Sequence, residues 1–352
     1  MSILNKYGNI TGAAPGPQFG VYGAIVSEEQ TKFGVWQNDP SGPGLYMGSQ
    51  YAAVTGEGSD LYKDTGGPIP FSIQQSFGAP RARCFVWDTE TAGTTENMVF
   101  GLGTNAPSTE HGQVRRWTGT GSTLVFENAG LWAIPGGAVG DVGNRIVYYG
   151  ANDATWYGLF NVTLAGNNQI LDNVSAGRFI ACESFGGNIW ALRQENITTL
   201  RAYVYNDNVF PATLIRQFNV TTTTIINRAF ERNVYISPDD GRMYMFNFLD
   251  NVLRSMPSTA SATGHVTTHP AIVVPLRIMG MAVYRGRYFF ISRQANTPLY
   301  EAPLTLASIT PVAGTNFPRG AYDLTVHDDR LYINDWLPDT GDVLTTYTYF
   351  EP

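Results

Sequence analysis

The sequence predicts an all-β fold, and three observations carry that prediction. The chain of 352 residues is rich in turn-forming residues, with 38 glycines and 20 prolines. Its apolar residues fall in short runs, many of them aromatic, and helical periodicity is scarce. A hairpin-like pattern also recurs along the chain at intervals of about 45 residues. Together these observations indicate short strands, joined by tight turns, in a repeated unit.

The repeated unit begins with a hairpin. Each copy has a half-apolar strand, a tight turn, an Arg or Asn, and then an apolar or aromatic run that reads as a second strand. The five clearest copies are DVGNRIVYYG (141–150), SFGGNIWALR (184–193), AFERNVYISP (229–238), VYRGRYFFIS (283–292) and VHDDRLYIND (326–335). Two further strand-like runs follow each hairpin. Four short antiparallel strands in a unit of about 45 residues form the blade of a β-propeller.

The residue after each turn serves as a register mark for the repeat. The marks are Arg145, Asn188, Asn233, Arg287 and Arg330, preceded by Asn97 and, more weakly, by Lys32. These marks predict a β-propeller of about seven four-stranded blades, or of six if the first mark belongs to an extension.

The last repeat predicts how the propeller closes. Its third strand is DVLTTYTYFEP, and no fourth strand follows. Since a strand from the opposite terminus commonly completes the last blade of a propeller, residues 1–25 are expected to supply it. The chain accordingly divides into an N-terminal arm or closing segment, residues 1–19, and a single β-propeller domain, residues 20–352.

Two segments show the repeat best, GMAVYRGRYFF (280–290) and AYDLTVHDDRLYI (321–333). In both, a strand and a tight turn precede an Arg that opens the second strand. This arrangement resembles the degenerate six- and seven-bladed propellers of the NHL, YWTD and phage tail-hub kinds. The resemblance covers about residues 20–352 and implies the fold alone, because no YWTD tetrapeptide, blade-ending WD dipeptide or kelch double glycine recurs.

The stretch SPDDGRMY, Ser237 to Tyr244, is similar to the sialidase Asp-box, Ser-x-Asp-x-Gly-x-x-Trp. A related Pro-Asp-x-Gly occurs at 338–341. Pro, Asp and Gly are the residues that a tight turn requires, so we interpret the stretch as a blade hairpin without catalytic function. A sialidase would further need three convergent arginines and a Tyr/Glu pair.

The histidines do not predict a metal site. His265 and His269 have the i, i+4 spacing of helical zinc ligands, but their segment, GHVTTHP, has no helical pattern. Both are therefore expected to be exposed loop residues. The acidic residues Asp239, Asp240, Asp328 and Asp329 fall at predicted hairpin turns, where their carboxylates should face solvent. No metal and no cofactor are expected.

The charge pattern argues against nucleic acid as a partner. The formal net charge is −7, and only 14% of residues are charged, against about 25% in a typical soluble protein. Arg115 and Arg116, the one tight basic pair beside a tryptophan, are interpreted as the solvent face of a strand. No run approaches the length of a membrane-spanning helix or a signal peptide, so no membrane partner is expected.

Three further sets of residues have structural interpretations. Cys84 and Cys182 are expected to be buried free thiols. The Asn-x-Ser/Thr sequons are expected to end turns before strands rather than to carry glycans; they are at Asn9, Asn161, Asn173, Asn196 and Asn219. The tryptophans do not recur with the repeat, so they are expected to pack between blades rather than to bind sugar; they are Trp36, Trp87, Trp117, Trp132, Trp156, Trp190 and Trp336.

Two stretches of loop composition interrupt the repeat, TGEGSDLYKDTGGPIP (55–70) and PSTASATGHVTTHP (257–270). Because recognition usually lies in loops on a rigid scaffold, they are predicted to contact other subunits of an assembly, with the N-terminal arm as the alternative.

The function expected from these features is that of a structural or interaction protein without enzymatic activity. The most plausible setting is a virion, as a bacteriophage tail or capsid-associated component assembled in the host cytoplasm, with an extracellular location as the alternative. Low charge, a surface rich in Asn, Thr and Gly, and the lack of nucleophile or nucleotide motifs support this expectation. Two alternatives stay open: a carbohydrate-binding propeller that acts as a lectin or receptor-binding protein, and a propeller hydrolase or lactonase with a site in the central channel.

Overall fold

The computed structural model describes 23 stretches of the chain. They are residues 17–26, 45–47, 52–55, 60–64, 71–76, 81–91, 95–103, 111–117, 122–129, 133–140, 145–152, 156–163, 168–174, 178–206, 211–221, 234–237, 240–247, 252–269, 278–292, 294–305, 308–327, 329–335 and 343–351.

These stretches contain 28 β-strands. The first fourteen are β1 (Gln18–Val26), β2 (Leu45–Met47), β3 (Ala52–Thr55), β4 (Asp60–Asp64), β5 (Phe71–Ser76), β6 (Arg81–Thr91), β7 (Thr95–Gly103), β8 (His111–Trp117), β9 (Ser122–Ala129), β10 (Ala133–Gly140), β11 (Arg145–Asn152), β12 (Trp156–Thr163), β13 (Asn168–Val174) and β14 (Arg178–Phe185). The others are β15 (Asn188–Asn196), β16 (Thr199–Asn206), β17 (Thr213–Thr221), β18 (Val234–Ile236), β19 (Arg242–Asn247), β20 (Val252–Pro257), β21 (Thr267–Thr268), β22 (Ile278–Tyr284), β23 (Arg287–Ser292), β24 (Tyr300–Pro303), β25 (Thr310–Pro311), β26 (Ala321–His327), β27 (Arg330–Asp335) and β28 (Val343–Phe350).

The strands form four-stranded antiparallel sheets, which confirms the prediction of an all-β fold. In chain order they are sheet 1 (β2–β5), sheet 2 (β6–β9), sheet 3 (β10–β13), sheet 4 (β14–β17), sheet 5 (β18–β21), sheet 6 (β22–β25) and sheet 7 (β26–β28 with β1). In the described ranges the one helical element is a 3-10 turn at Thr263–His265, and no helix there is long and apolar enough to cross a membrane.

Sheet 7 differs from the others in where its strands come from. Its order is β26, β27, β28 and then β1, so a strand from the N-terminal part of the chain pairs with the last strand. The pairing is antiparallel and runs from Gln18 opposite Phe350 to Val26 opposite Val343. The Phe19 ring stacks on Tyr347 at 5.4 Å between centroids and meets the edge of Phe317 at 5.5 Å. These aromatic contacts hold β1 against the body of the protein.

Most register marks begin the second strand of a sheet, as predicted. Arg145, Asn188, Arg287 and Arg330 are the first residues of β11, β15, β23 and β27. Asn97 lies two residues inside the second strand of its sheet, β7, and Lys32 lies outside the described residues.

The prediction is wrong for the fifth repeat. Val234–Ile236, which follows Asn233, is the first strand of sheet 5, and the second strand begins at Arg242. The SPDDGR turn therefore joins the first two strands of that sheet.

The two predicted loop insertions also need correction. Within 55–70, Asp60–Asp64 is β4, which pairs with both β3 and β5, so this stretch supplies a strand of sheet 1 rather than a rim loop. The stretch 257–270 is closer to the expectation, because most of its described residues are exposed. It nevertheless contains the 3-10 turn and β21, the short outer strand of sheet 5.

Burial on both faces explains the continuous apolar runs. In β23, Tyr288 and Phe290 pack with sheet 5, whereas Phe289 and Ile291 pack with sheet 7. Successive side chains of a strand point to opposite faces, so a strand between two neighbouring sheets needs apolar residues at every position. A run such as RYFFIS is therefore typical of a middle strand in stacked sheets.

The first strands of the sheets lie beside one another. The contacts of β6 with β10, β10 with β14, and β22 with β26 join neighbouring sheets, and β26 also contacts β2 of sheet 1. Gly280 on β22 shows how close the approach is, because a Cβ at this position would lie 2.7 Å from Leu324 Cδ2 on β26. The first strands are thus the elements through which the sheets meet along one edge.

Candidate functional site

Glu183 is the titratable side chain whose position is hardest to explain by folding alone. It lies on β14, the first strand of sheet 4, which contacts β10 of the preceding sheet. The side chain is only partly exposed, and burial raises the pKa of its carboxyl to about 8. The cause of this shift is the desolvation of the charged carboxylate. The carboxyl is therefore protonated at neutral pH and can donate a hydrogen bond or a proton.

Sequence reasoning missed Glu183, although a signal was present. It is the one charged residue within the largely apolar run FIACESF, and burying a carboxyl in such a strand is energetically costly unless the group has a role. Titratable groups with strongly shifted pKa values are concentrated at functional sites, and this one lies where the first strands meet. Glu183 is accordingly the best candidate for chemistry in the part of the chain that the structure describes.

Sheet 4 also carries a Tyr/Glu pair with two arginines. The Tyr203 hydroxyl donates a hydrogen bond to Glu195, and Arg193 Nη2 lies 3.0 Å from Glu195 Oε2. Arg201 Nε is 3.8 Å from the same carboxylate and donates to Asn219 Oδ1 at 3.0 Å. Burial and the neighbouring Glu195 raise the pKa of Tyr203 to about 12, so the phenol is held protonated. The group therefore braces three strands and lacks the activated phenolate that a sialidase would need.

The SPDDGR stretch is a hairpin turn, as predicted. Ser237 N donates to Arg242 O at 2.9 Å, and Gly241 N donates to Ser237 O at 3.0 Å. Gly241 has φ of 62°, a left-handed conformation that favours glycine. Asp240 Oδ1 accepts from Arg242 N at 3.1 Å, and its other carboxylate oxygen accepts from the Tyr244 hydroxyl.

Asp240 and Asp329 are exposed, as predicted for acidic residues at turns. Asp329 is paired with Arg285, whose guanidinium Nε donates to Asp329 Oδ1 at 2.9 Å and lowers the pKa of that carboxyl. Asp239 and Asp328 lie outside the described residues. In the described part of the chain no three His, Cys, Asp or Glu residues come together as a metal site would require.

The two histidines have different environments. His265 is exposed, as predicted, and its Nδ1 accepts from Ser261 N at 3.1 Å. The prediction is wrong for His269, which is partly buried. Its Nε2 lies 2.9 Å from Ser255 Oγ, and its ring lies 6.1 Å from that of Tyr244. The sequence concealed this difference because both residues belong to the same loop-like stretch.

The polar group around His269 is centred on a buried serine. Ser255 Oγ accepts a hydrogen bond from Arg242 Nε at 3.1 Å, and Arg242 Nη2 also donates to Thr267 Oγ1 at 3.0 Å. Ser255 is 1% exposed, so a substrate cannot reach its hydroxyl in this conformation. The Ser–His pair is thus a structural link between β20 and the residues around β21.

Other predicted residues have structural roles where they are described. Trp190 is fully buried, with its indole N–H donating to Phe185 O at 3.1 Å, so it is closed to sugar stacking. Cys182 is buried and is not part of a disulfide, as predicted. Asn196 ends β15 in a turn, where its Oδ1 accepts from Thr198 N at 2.9 Å.

The other sequon asparagines, the Arg115–Arg116 pair and three tryptophans either lie in strands or fall outside the described residues. Asn161, Asn173 and Asn219 lie within strands β12, β13 and β17, so the turn-ending interpretation is wrong for them. Arg115 and Arg116 belong to β8. Asn9, Trp36, Trp132 and Trp336 lie outside the described residues.

An exposed apolar surface lies on the outer strand of sheet 4. In β17, Leu214 is 48% exposed and the adjacent Ile215 is 47% exposed, and Ile215 lies in a β-bulge between the residues that pair with Tyr205 and Val204. No further strand is paired with the outer edge of β17 among the described residues. The second half of the strand is different, because Phe218 and Val220 are buried.

Comparison with known proteins identifies the fold. No protein-family model and no curated protein matches the chain. A solved chain from the crystal structure of the mitotic checkpoint complex matches at 8% identity with a TM-score of 0.58, covering 99% of each chain. A chain named as a putative oxidoreductase (glucose dehydrogenase) from Thermus thermophilus matches at 9% identity with a TM-score of 0.52, covering 95% of this chain and all of the other.

Both matches are β-propellers. The chain is therefore similar to β-propellers in fold, as the repeat predicted, without a match to a specific family. The prediction that the protein is not an enzyme was based on the lack of site motifs. It is contradicted by one of the two matching propellers, which carries the name of an oxidoreductase. The lack of local sequence motifs is thus no argument against activity in this fold.

Proposed function

We propose that the protein is an interaction scaffold whose seven sheets are the blades of a propeller closed by β1. The support is the repeated four-strand order, the contact of β26 with β2, and the pairing of β1 with β28. In this arrangement the first strands line a central channel and the last strands face outward. A scaffold of this kind presents rigid outer strands to other subunits.

The exposed apolar pair on β17 is the observation that carries the interaction role. Large apolar side chains on an outer strand with an unpaired edge favour association with another chain. One of the matching propellers comes from a structure of a protein complex, which is consistent with this use of the fold. We place the scaffold in a virion, as a bacteriophage tail or capsid-associated subunit assembled in the host cytoplasm. The low charge of the chain supports this setting.

Substitution of the apolar pair tests the proposal. Ile215→Lys places a charge on the exposed edge strand, which blocks strand pairing without touching the core. We expect the variant to fold and to be lost from gradient-purified particles in which the wild-type chain is retained. Ile197→Lys is the matched control, because Ile197 is 70% exposed in the turn after β15. Wild-type chain absent from particles, or Ile215→Lys retained in them, would contradict the proposal.

Glu183 favours a second candidate, a hydrolase or lactonase with its site in the proposed channel. A carboxyl that is protonated at neutral pH can serve as a general acid toward the leaving oxygen of an ester, lactone or glycoside. Its location on β14 places it among the first strands, which is where a channel site would lie. The raised pKa of its carboxyl is the observation that favours this candidate.

A further inference from the structure

A segment of sheet 5, residues 258–269, lies against β17 of sheet 4. Arg216 on β17 donates to Ser258 O, and Thr263 Oγ1 donates to Asn219 O on the same strand at 2.6 Å. Ala260 and Val266 of the segment belong to the apolar cluster that contains Phe218 and Val220. Together with the methionines of β19 and β20 in the same cluster, the segment therefore covers the half of β17 that is buried, and it leaves Leu214 and Ile215 uncovered.

Few interactions hold the C-terminal end of this segment on its own sheet. The ladder between β20 and β21 has two residue pairs, Arg254 with Thr268 and Ser255 with Thr267. His269 N donates to Leu253 O at 2.9 Å. Within the described residues, side-chain links join Arg242 to Thr267 and His269 to Ser255. A ladder this short is weak, so the side-chain links contribute a large part of the attachment.

Protonation of His269 would place a second positive charge beside Ser255. Ser255 Oγ accepts a hydrogen bond from Arg242 Nε at 3.1 Å and lies 2.9 Å from His269 Nε2. A hydroxyl donates one hydrogen bond and can accept two, so either form of the His269 ring can bond to it. In the protonated form, however, the imidazolium and the Arg242 guanidinium would converge on one oxygen, and their like charges would repel each other. Since Ser255 is 1% exposed, solvent screens that repulsion poorly unless the site opens.

The surroundings of His269 mostly lower the pKa of its imidazole. Burial lowers the pKa of the His269 imidazole, the positive charge of Arg242 lowers it further, and Asp240 opposes both. The carboxylate of Asp240 is already bonded to Arg242 N and the Tyr244 hydroxyl. Among the described residues, Tyr244 is a further titratable neighbour, with its ring 6.1 Å from that of His269, and Tyr288 of sheet 6 lies 5.4 Å beyond it. Arg254 on β20 belongs to the opposite face of the sheet, because side chains alternate along the strand.

We propose that the 258–269 segment is a proton-released cover over β17: protonation of His269 detaches the segment and extends the exposed apolar surface of β17 to Phe218 and Val220. The role of that surface in binding another subunit rests on the proposed function, but the opening itself does not. A partner that pairs with β17 would then bind more tightly in acid than at neutral pH.

The pKa of His269 in the folded and in the opened state determines how opening depends on pH. The folded pKa of His269 is below the unfolded value of about 6.5, so the unfolded or opened state binds more protons. The stability that the neutral imidazole contributes is fully present above about pH 6.5 and is lost as the pH falls toward the folded pKa. Acid therefore favours the opened segment.

Hydrogen exchange of the whole chain tests the opening without any partner. After correction for the chemical exchange rate, we expect amides of 258–269 to exchange roughly tenfold faster at about pH 5 than at about pH 8, with β19 unchanged. His269→Gln, which cannot take up a proton, should abolish the difference. His265→Gln is the matched control and should leave it intact, because His265 is exposed and does not contact Ser255.

A dye that fluoresces on apolar surface gives a second measurement on the wild-type chain, should His269→Gln fail to fold. Its fluorescence is expected to rise in acid as Phe218 and Val220 become exposed. Equal protection of 258–269 at both pH values, or an acid response that His269→Gln leaves unchanged, would overturn the proposal. If the segment opens but Ile215→Lys stays in particles, the cover stands and the proposed function fails.

Discussion

At the scale of single residues, polar side chains that link strands in the described part of the chain differ from Glu183. Tyr203, Glu195 and Arg193 satisfy one another, and Asp240 is occupied by Tyr244 and a backbone amide. Glu183 has no comparable ion pair with another described residue, and burial accounts for the raised pKa of its carboxyl. Such a group destabilises the fold at neutral pH, because the protein must keep it protonated.

Replacing Glu183 by Gln should change how stability depends on pH. The pKa of Glu183 is raised from 4.5 to about 8 on folding, so the wild-type chain loses stability as the pH rises between these values and no further above about pH 8. Glu183→Gln removes this loss. We expect the Tm of the variant, relative to that of the wild type, to increase from pH 5 to pH 8 and then to level off. A constant difference across this range would show that the carboxyl is not buried as described.

The same variant tests the enzymatic candidate. Any turnover of an ester or lactone by the wild-type chain should depend on the proton of Glu183, because Gln is not a proton donor for a leaving group. Turnover that survives in Glu183→Gln would exclude Glu183 as the general acid.

At the scale of elements, the hairpin that begins a sheet was predictable from the sequence where a single turn precedes a single apolar run. Arg287 and Arg330 follow tight turns and open apolar runs, and both begin second strands. In the fifth repeat, however, Asn233 and Arg242 both precede apolar runs and are only nine positions apart. The local pattern is the same at both, and only pairing with β20 makes β19 the second strand. Sequence periodicity could not supply that tertiary information.

The polar groups were less predictable than the strands. Arg193, Glu195, Tyr203 and Arg201 come from two adjacent strands, and their grouping depends on the register of β15 against β16. Likewise, the difference between His265 and His269 arises from whether Ser255 is within reach. Cross-strand register and burial decide such sites, and a single sequence states neither.

The turn between β14 and β15 tests the packing of an element against its neighbour. Gly186 and Gly187 both have left-handed φ, 60° and 70°. A Cβ at Gly186 would also collide with the side chain of Ser258, whereas a Cβ at Gly187 would meet nothing within 4 Å. We expect Gly187→Ala to cost about 1 kcal/mol of unfolding free energy and Gly186→Ala about 3 kcal/mol, measured by chemical denaturation.

A second substitution assigns the difference to the collision. Adding Ser258→Gly to Gly186→Ala should recover most of the additional loss, because the collision is with the serine side chain. Equal costs for the two alanine variants would mean that sheets 4 and 5 do not meet at this turn.

At the scale of the whole molecule, the repeat predicted the stacked sheets because each blade must bury both faces against its neighbours. Four apolar clusters of the described residues lie between successive sheets from sheet 3 to sheet 7. The predicted number of sheets depended on register marks that were not equally clear along the chain. The prediction of a loop at 55–70 was wrong because Asp60–Asp64 is a strand with few apolar residues. A strand with few apolar residues has no clear alternation of apolar and polar positions, so its sequence resembles that of a loop.

We infer that β1 completes the sheet of the last repeat and closes the ring. An engineered disulfide tests this inference most directly. Gly20 on β1 lies opposite Thr348 on β28, and a Cβ at Gly20 would meet no atom within 4 Å. Paired antiparallel residues have Cα atoms about 4.5–5.5 Å apart, a separation that a disulfide can span.

We therefore expect the double variant Gly20→Cys/Thr348→Cys to form a disulfide within one chain, mapped by mass spectrometry of unreduced peptides, and to raise the Tm of the oxidised protein. Gly20→Cys/Thr345→Cys is the control and should not form the bond, because Thr345 lies opposite Ala24. A disulfide between Cys residues at 20 and 348 in monomeric protein is the result that ring closure predicts. No disulfide, or a disulfide found only between two chains, would contradict closure of the ring by its own N-terminal strand.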